Sequence, residues 1–521
     1  MDDGTDKAAN VCASCKQYKR KCNKTLPSCS TCSRLHRACN YSTLDFTRAR
    51  PKEEIALLRA RVEELEKLIE RSIAVNTPGS TLPASSPIKE VNDCGQSSQS
   101  NLSSRLFFLD QRTFTHLHCR LPLVSVPLPN KLVNALGDEH CQPRGMEQLV
   151  SRYFDTFHGW MPIISKTRMK RVLDRSAGNI QAEMGFLLSC MKLLLQKPEN
   201  EALPEDISLY GIVKADWLQL EMVGLQSLEV VQGGILIGVY ELSHGIYPAA
   251  YMSVAQCARQ AISIGLHNCE APEFLQPWAD WEEEIRVWWF IVILDRYVTI
   301  GRELRPLCTE DPKKHTPLPA DTEAWDQGAM ISPERLYASS PATAITSPYA
   351  RLAQAFNLLG RVIRHCDDQD QDIVFMLEEM NTLHQATCAL LDLIKGDESE
   401  DSYVALSVLV DKAGPKLAPS IREYTERSLN TMRDASLQAL DLAQELERRV
   451  VVSGVDKLSP LVMHCLYRAA FWLSYLAGVN REERFIIGRS IIDRVLKALS
   501  SRWKIAGIYL EMLEAVHQEG R

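Results

Sequence analysis

A membrane-spanning helix needs a run of about eighteen or more apolar residues, and none occurs among the 521 residues of this chain. The two most apolar stretches, Ile235–Tyr240 and Trp288–Leu294, are short and flanked by charge or glycine. No membrane span is expected. Catalytic signatures are missing too. H-E-x-x-H, G-x-S-x-G, the P-loop and the dinucleotide-binding glycine pattern do not occur, and no carboxylate pair stands in a recognisable catalytic frame. That argues against an enzyme. The first ten residues, MDDGTDKAAN, contain no apolar run. A secretory leader is therefore not expected, and the thiols should sit in a reducing compartment. Two local absences mark boundaries: no Asp or Glu lies between Val11 and Tyr41, and no aromatic residue lies within 76–104.

Cysteine, by contrast, is concentrated. Of the sixteen cysteines, Cys12, Cys15, Cys22, Cys29, Cys32 and Cys39 fall in VCASCKQYKRKCNKTLPSCSTCSRLHRACNY, residues 11–41. The spacing is C-x2-C-x6-C-x6-C-x2-C-x6-C. The second three cysteines repeat the first three seventeen residues later, which predicts two similar halves related by approximate twofold symmetry. Zinc takes thiolates tetrahedrally, and a closed structural site needs four ligands. One zinc would leave two cysteines over; two zincs need eight ligand positions, which six thiolates supply if two of them bridge. The stretch has no apolar cluster, so the metal must supply the folding energy. The ten remaining cysteines are scattered and form no C-x2-C pair; they read as buried thiols. Thr115–Cys119, THLHC, lacks zinc-ligand spacing and is not read as a second site.

The charge of this stretch points to its partner. Lys16, Lys19, Arg20, Lys21, Lys24, Arg34 and Arg37 are basic, whereas the whole chain carries −7. Two zincs (+4) and six thiolates (−6) leave −2, so with seven basic side chains the module carries about +5. Positive charge concentrated in one small module of an acidic protein is the footprint of a phosphate-binding surface.

CASCKQYKRKC…CSTCSRLHRAC resembles the fungal binuclear zinc cluster transcription factors in all six ligands, both short spacers and the basic run between the second and third cysteines. The resemblance implies two zinc ions per chain, with Cys12 and Cys29 as the bridges, and double-stranded DNA as the partner. A helix from about Ser14 to Lys21 would enter the major groove. Lys19 and Arg20 would meet base edges of a CGG-type triplet, while Lys16, Lys21, Lys24 and Arg37 would hold phosphates. Pro27 stands where the family usually has a proline, between the halves. Tyr18 departs from a commonly basic position, which should flatten the salt dependence slightly.

The chain after the cluster is taken in order. Residues 42–54 are a polar, basic connector. In KEEIALLRARVEELEKLIERSI, Ile55, Val62 and Ile69 fall at a and Leu58 and Leu65 at d, the pattern of a parallel two-stranded coiled coil. In a parallel homodimer Glu54 would face Arg59 and Arg61 would face Glu66 across the seam. Residues 76–104 contain 13 Ser, Pro or Gly among 29 and read as a disordered linker. Beyond it the periodicity is helical. Leu149, Tyr153, Phe154 and Phe157 share a face. Tyr251, Val254, Ala255, Ala258, Ala261 and Ile262 share another, closing at Gly265. Ile285, Trp288, Trp289, Val292 and Ile293 recur at i, i+3, i+4, i+7, i+8, so the paired tryptophans read as core.

These segments also resemble the helical regulatory domain that follows the cluster in many such factors. Tyr153–Met169 looks like its opening, with Gly159 and Met169 departing from a usual proline and aromatic. Ile262–His267 is similar to a second landmark, and Glu283–Arg302 to the most recognisable helix, with Asp295 and Arg296 read as a structural ion pair. Arg305–Leu307, Leu318–Pro319, Asp321 and Trp325 follow in the family's order.

The expected fold is thus mostly α. Its parts are a disordered N-terminus (1–10), a zinc-stapled DNA-binding module (11–41), a linker (42–54), a coiled-coil dimerisation helix (55–75), a disordered linker (76–104) and a large all-helical regulatory domain (105–521). The expected protein is a nuclear regulator of RNA polymerase II transcription. It would act as a homodimer, engage the transcription machinery, and leave room for a small-molecule effector. Relatives of this layout often switch on secondary-metabolite gene clusters; a regulator of nutrient catabolism or transport would read the same. Ile508–Val516 mixes acidic and bulky apolar residues and is the candidate activation surface.

Overall fold

A computed structural model of the chain describes residues 8, 11–12, 14–15, 20–35, 39, 143–176, 180–197, 208–269, 277–300, 305–329, 333–341, 344, 346–367, 373–394, 422–480 and 482–519. The chain divides into two units, Met1–Cys94 and Gly95–Arg521. The proposed coiled coil, Ile55, Leu58, Val62, Leu65 and Ile69 included, lies outside the described residues, as do both linkers and Thr115–Cys119.

The described part of the first unit contains the short helix α1 (Ser30–Arg34), and Ser14 and Cys15 are helical as well. The second unit is helical among its described residues, with an isolated antiparallel bridge between Pro317 and Tyr337. It opens with α2 (Pro143–Phe157), α3 (Lys166–Ser176) and α4 (Ala182–Leu195), followed by α5 (Leu209–Met222), α6 (Leu228–Ser243) and α7 (Ala249–Ser263). The long α8 (Trp278–Thr299) and the short α9 (Thr322–Asp326) come next. Then follow α10 (Pro348–Asp367), α11 (Ile373–Ile394), α12 (Arg422–Ser453), α13 (Val462–Asn480), α14 (Glu483–Ser500) and α15 (Lys504–Glu519). One apolar core runs from Met146 to Leu513.

Helix α6 is the hub of this core; it packs against α4, α5, α7, α8 and α15. Its sequence, LEVVQGGILIGVYELS, has almost no polar face, and twelve of its sixteen residues are buried. Ser227 starts it by accepting the Val230 N–H (3.3 Å), a standard N-cap. Gly233 and Gly234 are needed for approach, not for backbone conformation. A Cβ at Gly233 would lie 2.4 Å from Phe186, and one at Gly234 would lie 2.5 Å from Trp217. Gly265 does serve conformation: its φ is +87°, and it ends α7 as its position predicts.

Helix α8 is buried all round from Ile285 to Thr299, not along one face. Trp288 and Trp289 are core side chains, and Trp289 donates Nε1–H to Pro317 O (2.8 Å). The charged residues of α8 fasten neighbouring segments. Arg286 Nε donates to Glu282 (2.8 Å), its Nη2 donates to Ala320 O (2.7 Å), and its guanidinium lies 4.2 Å over Trp325. Glu282 accepts the Ala320 N–H (2.7 Å); Glu283 accepts from Ser165 N (3.0 Å) and Gln232 (2.8 Å). Asp295 and Arg296 form the expected buried ion pair, at 3.5 Å, and each has closer partners besides. Asp295 accepts the N–H groups of Cys308 (3.1 Å) and Thr309 (2.9 Å), while Arg296 reaches Glu310 O (3.1 Å) and Asp311 (3.2 Å). Together they clamp the segment that follows α8.

Candidate metal centre and nucleic-acid interface

Among the described residues of the first unit, the interior consists of thiols. Cys12 and Cys29 are fully buried, Cys15 and Cys32 nearly so, and the neighbours packed against them are the half-buried Cys22 and Cys39. Local bonds set this up. Cys29 caps α1, its Sγ accepting the Cys32 N–H at 3.3 Å. Asn23 Oδ1 accepts the Ser30 N–H (2.9 Å), and Thr31 Oγ1 donates to Lys21 O (2.9 Å), which fastens the 20–28 loop to α1. In the first half, Arg20 N–H reaches Cys15 O (2.9 Å), and Ala8 N–H reaches the carbonyl of Lys24 (2.8 Å), whose φ is +61°. The sequence reading missed Asn23 and Thr31. The signal was present, since such residues beside a helix start bond to backbone groups.

The distances fit zinc. At a Zn–S length of about 2.3 Å a tetrahedron has an S···S edge of about 3.8 Å. Cys12 Sγ lies 3.7 Å from Cys29 Sγ and 3.6 Å from Cys32 Sγ; Cys15 Sγ lies 3.6 Å from Cys29 Sγ and 4.0 Å from Cys32 Sγ. All four sulfurs fall within 4.8 Å of one another. Cys22 Sγ stands 3.9 Å from Cys12 Sγ, and Cys39 Sγ accepts the Cys29 N–H at 3.3 Å. Burial pushes the Cys12 and Cys32 thiols up and the Cys15 thiol up to about 12. A set of thiols so costly to ionise together needs a cation, and a bound metal deprotonates thiols outright. Zinc held there would supply folding energy, with no reactive chemistry required of it.

Of the basic residues assigned to DNA, Arg20 and Lys21 are exposed and Lys24 is half-buried; Arg34, at the end of α1, is exposed as well. Lys16, Lys19 and Arg37 lie outside the described residues.

The fungal Zn(2)-Cys(6) binuclear cluster domain matches residues 10–46, and the fungal specific transcription factor domain matches residues 150–388. Transcription factor BOA15 of Botryotinia fuckeliana (strain B05.10) is 36% identical over 184 residues, which cover 34% of this chain and 98% of that protein. This chain is a fungal Zn(2)-Cys(6) transcription factor. Two further relatives of the zinc cluster factor are more distant. Transcription factor tazR of Aspergillus terreus (strain NIH 2624 / FGSC A1156) is 24% identical over 310 residues, covering 56% of this chain and 48% of that protein. The pigment biosynthesis transcriptional activator pigB of Monascus ruber is 21% identical over 544 residues, covering 98% and 94%. The zinc cluster factor therefore binds zinc and DNA, regulates transcription and is not an enzyme. No helix among its described residues is long and apolar enough to cross a membrane.

Proposed function

We propose that this zinc cluster factor acts in the nucleus as a homodimer on paired CGG-type triplets and switches on a secondary-metabolite gene cluster. In this reading residues 11–41 hold two zinc ions through Cys12, Cys15, Cys22, Cys29, Cys32 and Cys39, with Cys12 and Cys29 bridging. Lys19 and Arg20 read base edges, and Lys16, Lys21, Lys24 and Arg37 hold phosphates. Residues 55–75 pair with a second copy through Ile55, Leu58, Val62, Leu65 and Ile69. The observation that carries the reading is a module whose interior is cysteine, beside the exposed cations Arg20, Lys21 and Arg34. The pathway rests on a relative along nearly the whole chain that is named a pigment biosynthesis activator. On α15, Ile508, Met512 and Val516 are exposed beside Glu511 and Glu514 while Leu513 is buried; that outer face is the proposed contact for the transcription machinery.

Genome-wide binding of the tagged protein, paired with transcript levels in a deletion strain, tests the proposal. The expected result is peaks on paired CGG-type triplets upstream of one contiguous set of biosynthetic genes, whose transcripts are lost on deletion. Peaks scattered over catabolic or transport genes would replace the pathway with a broader metabolic role.

A further inference from the structure

We propose that Ser340 is a phosphorylation site for a proline-directed protein kinase, and that the exposed turn Lys313–Lys314–His315 holds the phosphate. The kinase moves the γ-phosphoryl group of ATP onto Ser340 Oγ. The bond from that phosphorus to the β–γ bridging oxygen breaks, a bond to Oγ forms, and ADP and the hydroxyl proton leave.

Three observations carry the inference. The first is access. Ser340 is half-buried and is followed by the exposed Pro341. Among the described residues, the other serines and threonines that precede a proline are closed to a kinase. Ser459 is fully buried. Ser347 is buried too, its Oγ accepting the Ala350 N–H (3.2 Å) and donating to Ala320 O (3.3 Å). Thr316 precedes the proline that bridges to Tyr337, so its backbone is already paired.

The second observation is register. Around that bridge the two segments run antiparallel. Leu318 N–H donates to Leu336 O (2.8 Å), Ala338 N–H to Thr316 O (2.9 Å) and Ser339 N–H to Lys314 O (3.1 Å). Each segment ends in a turn, closed by Thr316 N–H on Lys313 O (2.9 Å) in one and Ser340 N–H on Tyr337 O (2.8 Å) in the other. The pairing therefore sets Ser340 opposite the Lys313–Lys314 turn.

The third is charge. Lys313, Lys314 and His315 are exposed, and among the described residues neither lysine forms an ion pair. The nearby Asp311 is taken by Arg296 (3.2 Å) and Arg364 (2.9 Å). A phosphoserine brings about −1.5 to −2 charges and three acceptor oxygens, and opposite charges facing each other across paired strands attract. Ser340 Oγ already accepts the Tyr337 N–H (2.8 Å), so the phosphate meets a donor on its own turn and cations on the facing one. Phosphorylation would then staple the two ends of the segment between α8 and α10.

The test uses the full chain carrying Thr77→Ala/Ser86→Ala/Ser332→Ala, which removes the other Ser-Pro and Thr-Pro positions outside the described residues. It is treated with Mg2+–ATP and purified mitogen-activated and cyclin-dependent kinases. Peptide mass spectrometry should place phosphate on Ser340, and Ser340→Ala should abolish it. In a 31P titration that phosphate should ionise below the ordinary value of about 6 and return to it in Lys313→Ala/Lys314→Ala. Hydrogen exchange over 313–316 and 337–340 should slow on phosphorylation, and not in the double lysine variant. A folded chain left unmodified at Ser340 overturns the site. A phosphate on Ser340 that titrates at the ordinary value, unmoved by the lysine changes, overturns the role of the basic turn.

Discussion

Cys12 and Cys29 are as inaccessible to solvent as Phe186 and Trp217, yet burial does different work at the two places. Around α6 the interior is apolar, and burial itself stabilises, at roughly 25 cal/mol for each Å² removed from water. Among the described residues of the first unit the interior is four buried thiols with Cys22 and Cys39 packed against them, and burial raises the cost of ionising Cys12, Cys15 and Cys32. The helical unit has its stabilisation built in; the small unit borrows it from an ion. The comparison teaches that burial of a residue does not by itself say what holds it there.

The sharpest way to break the comparison is to remove metal. Cys29→Ala, which deletes both a proposed bridge and the cap of α1, should cost the small unit most of the ~10 kcal/mol that structural zinc contributes to such modules. Zinc per chain should fall and DNA binding vanish while thermal unfolding of the helical unit stays put. A shift in that unfolding would mean that the two units do not stand apart energetically.

The converse change is Arg286→Ala. It removes one of two guanidinium partners from the fully buried Glu282, leaving Arg335 at 3.2 Å, and breaking a buried pair costs up to about 3–5 kcal/mol. Denaturant unfolding of the helical unit should move by that much, with zinc content unchanged. Gly234→Ala is a smaller version, because its Cβ would press into Trp217; about 1–3 kcal/mol is expected from overpacking, and less would mean that α5 gives way. On the DNA side, Lys19→Ala should lose about 1–3 kcal/mol of preference for its triplet, whereas Lys24→Ala weakens all duplexes alike. Titrations against specific and random DNA separate the two.

A further effect is in pH. Burial holds His244 and His464 down to about 4, below the ordinary value of about 6.5. Both are therefore neutral in the fold while the unfolded chain takes up protons first. Their stabilisation is complete above about pH 6.5 and is lost as pH falls toward 4, up to about 3 kcal/mol for each. Melting of the helical unit between pH 7 and pH 4.5 should show the slope, and His464→Gln should flatten it. The metal-held unit should lose its fold in acid by another route, proton competition for the thiolates.

Much of this was legible in the sequence, for reasons that differ by region. The cysteine spacing announced its own chemistry because ligand geometry is local. The tryptophans of α8 read as core from their helical spacing, and Gly265 from its place after a periodic run. What periodicity could not reveal was burial on every side. Glu282, Glu283 and Arg286 sit among the residues of a charged helix start, and only the return of residues 162–168 and of Ala320, Thr322, Trp325 and Arg335 makes them interior. Asp295 and Arg296, adjacent in sequence, invited pairing with each other; the segment after α8 supplies better partners for both. The contact of Cys15 with Cys32 depends on how the two halves close, which a repeat in sequence does not encode.

The crowding at Gly233 and Gly234 has a consequence for anyone who studies this factor by genetics. A screen for strains that have lost its output will not return only changes in the cysteines. A single added methyl at the centre of α6, about two hundred positions from the nearest zinc ligand, should lower the amount of intact protein in the cell, since losses of 1–2 kcal/mol can change abundance several-fold. Such alleles would be indistinguishable by phenotype from defects in reading DNA, and would be told apart by measuring protein level before promoter occupancy.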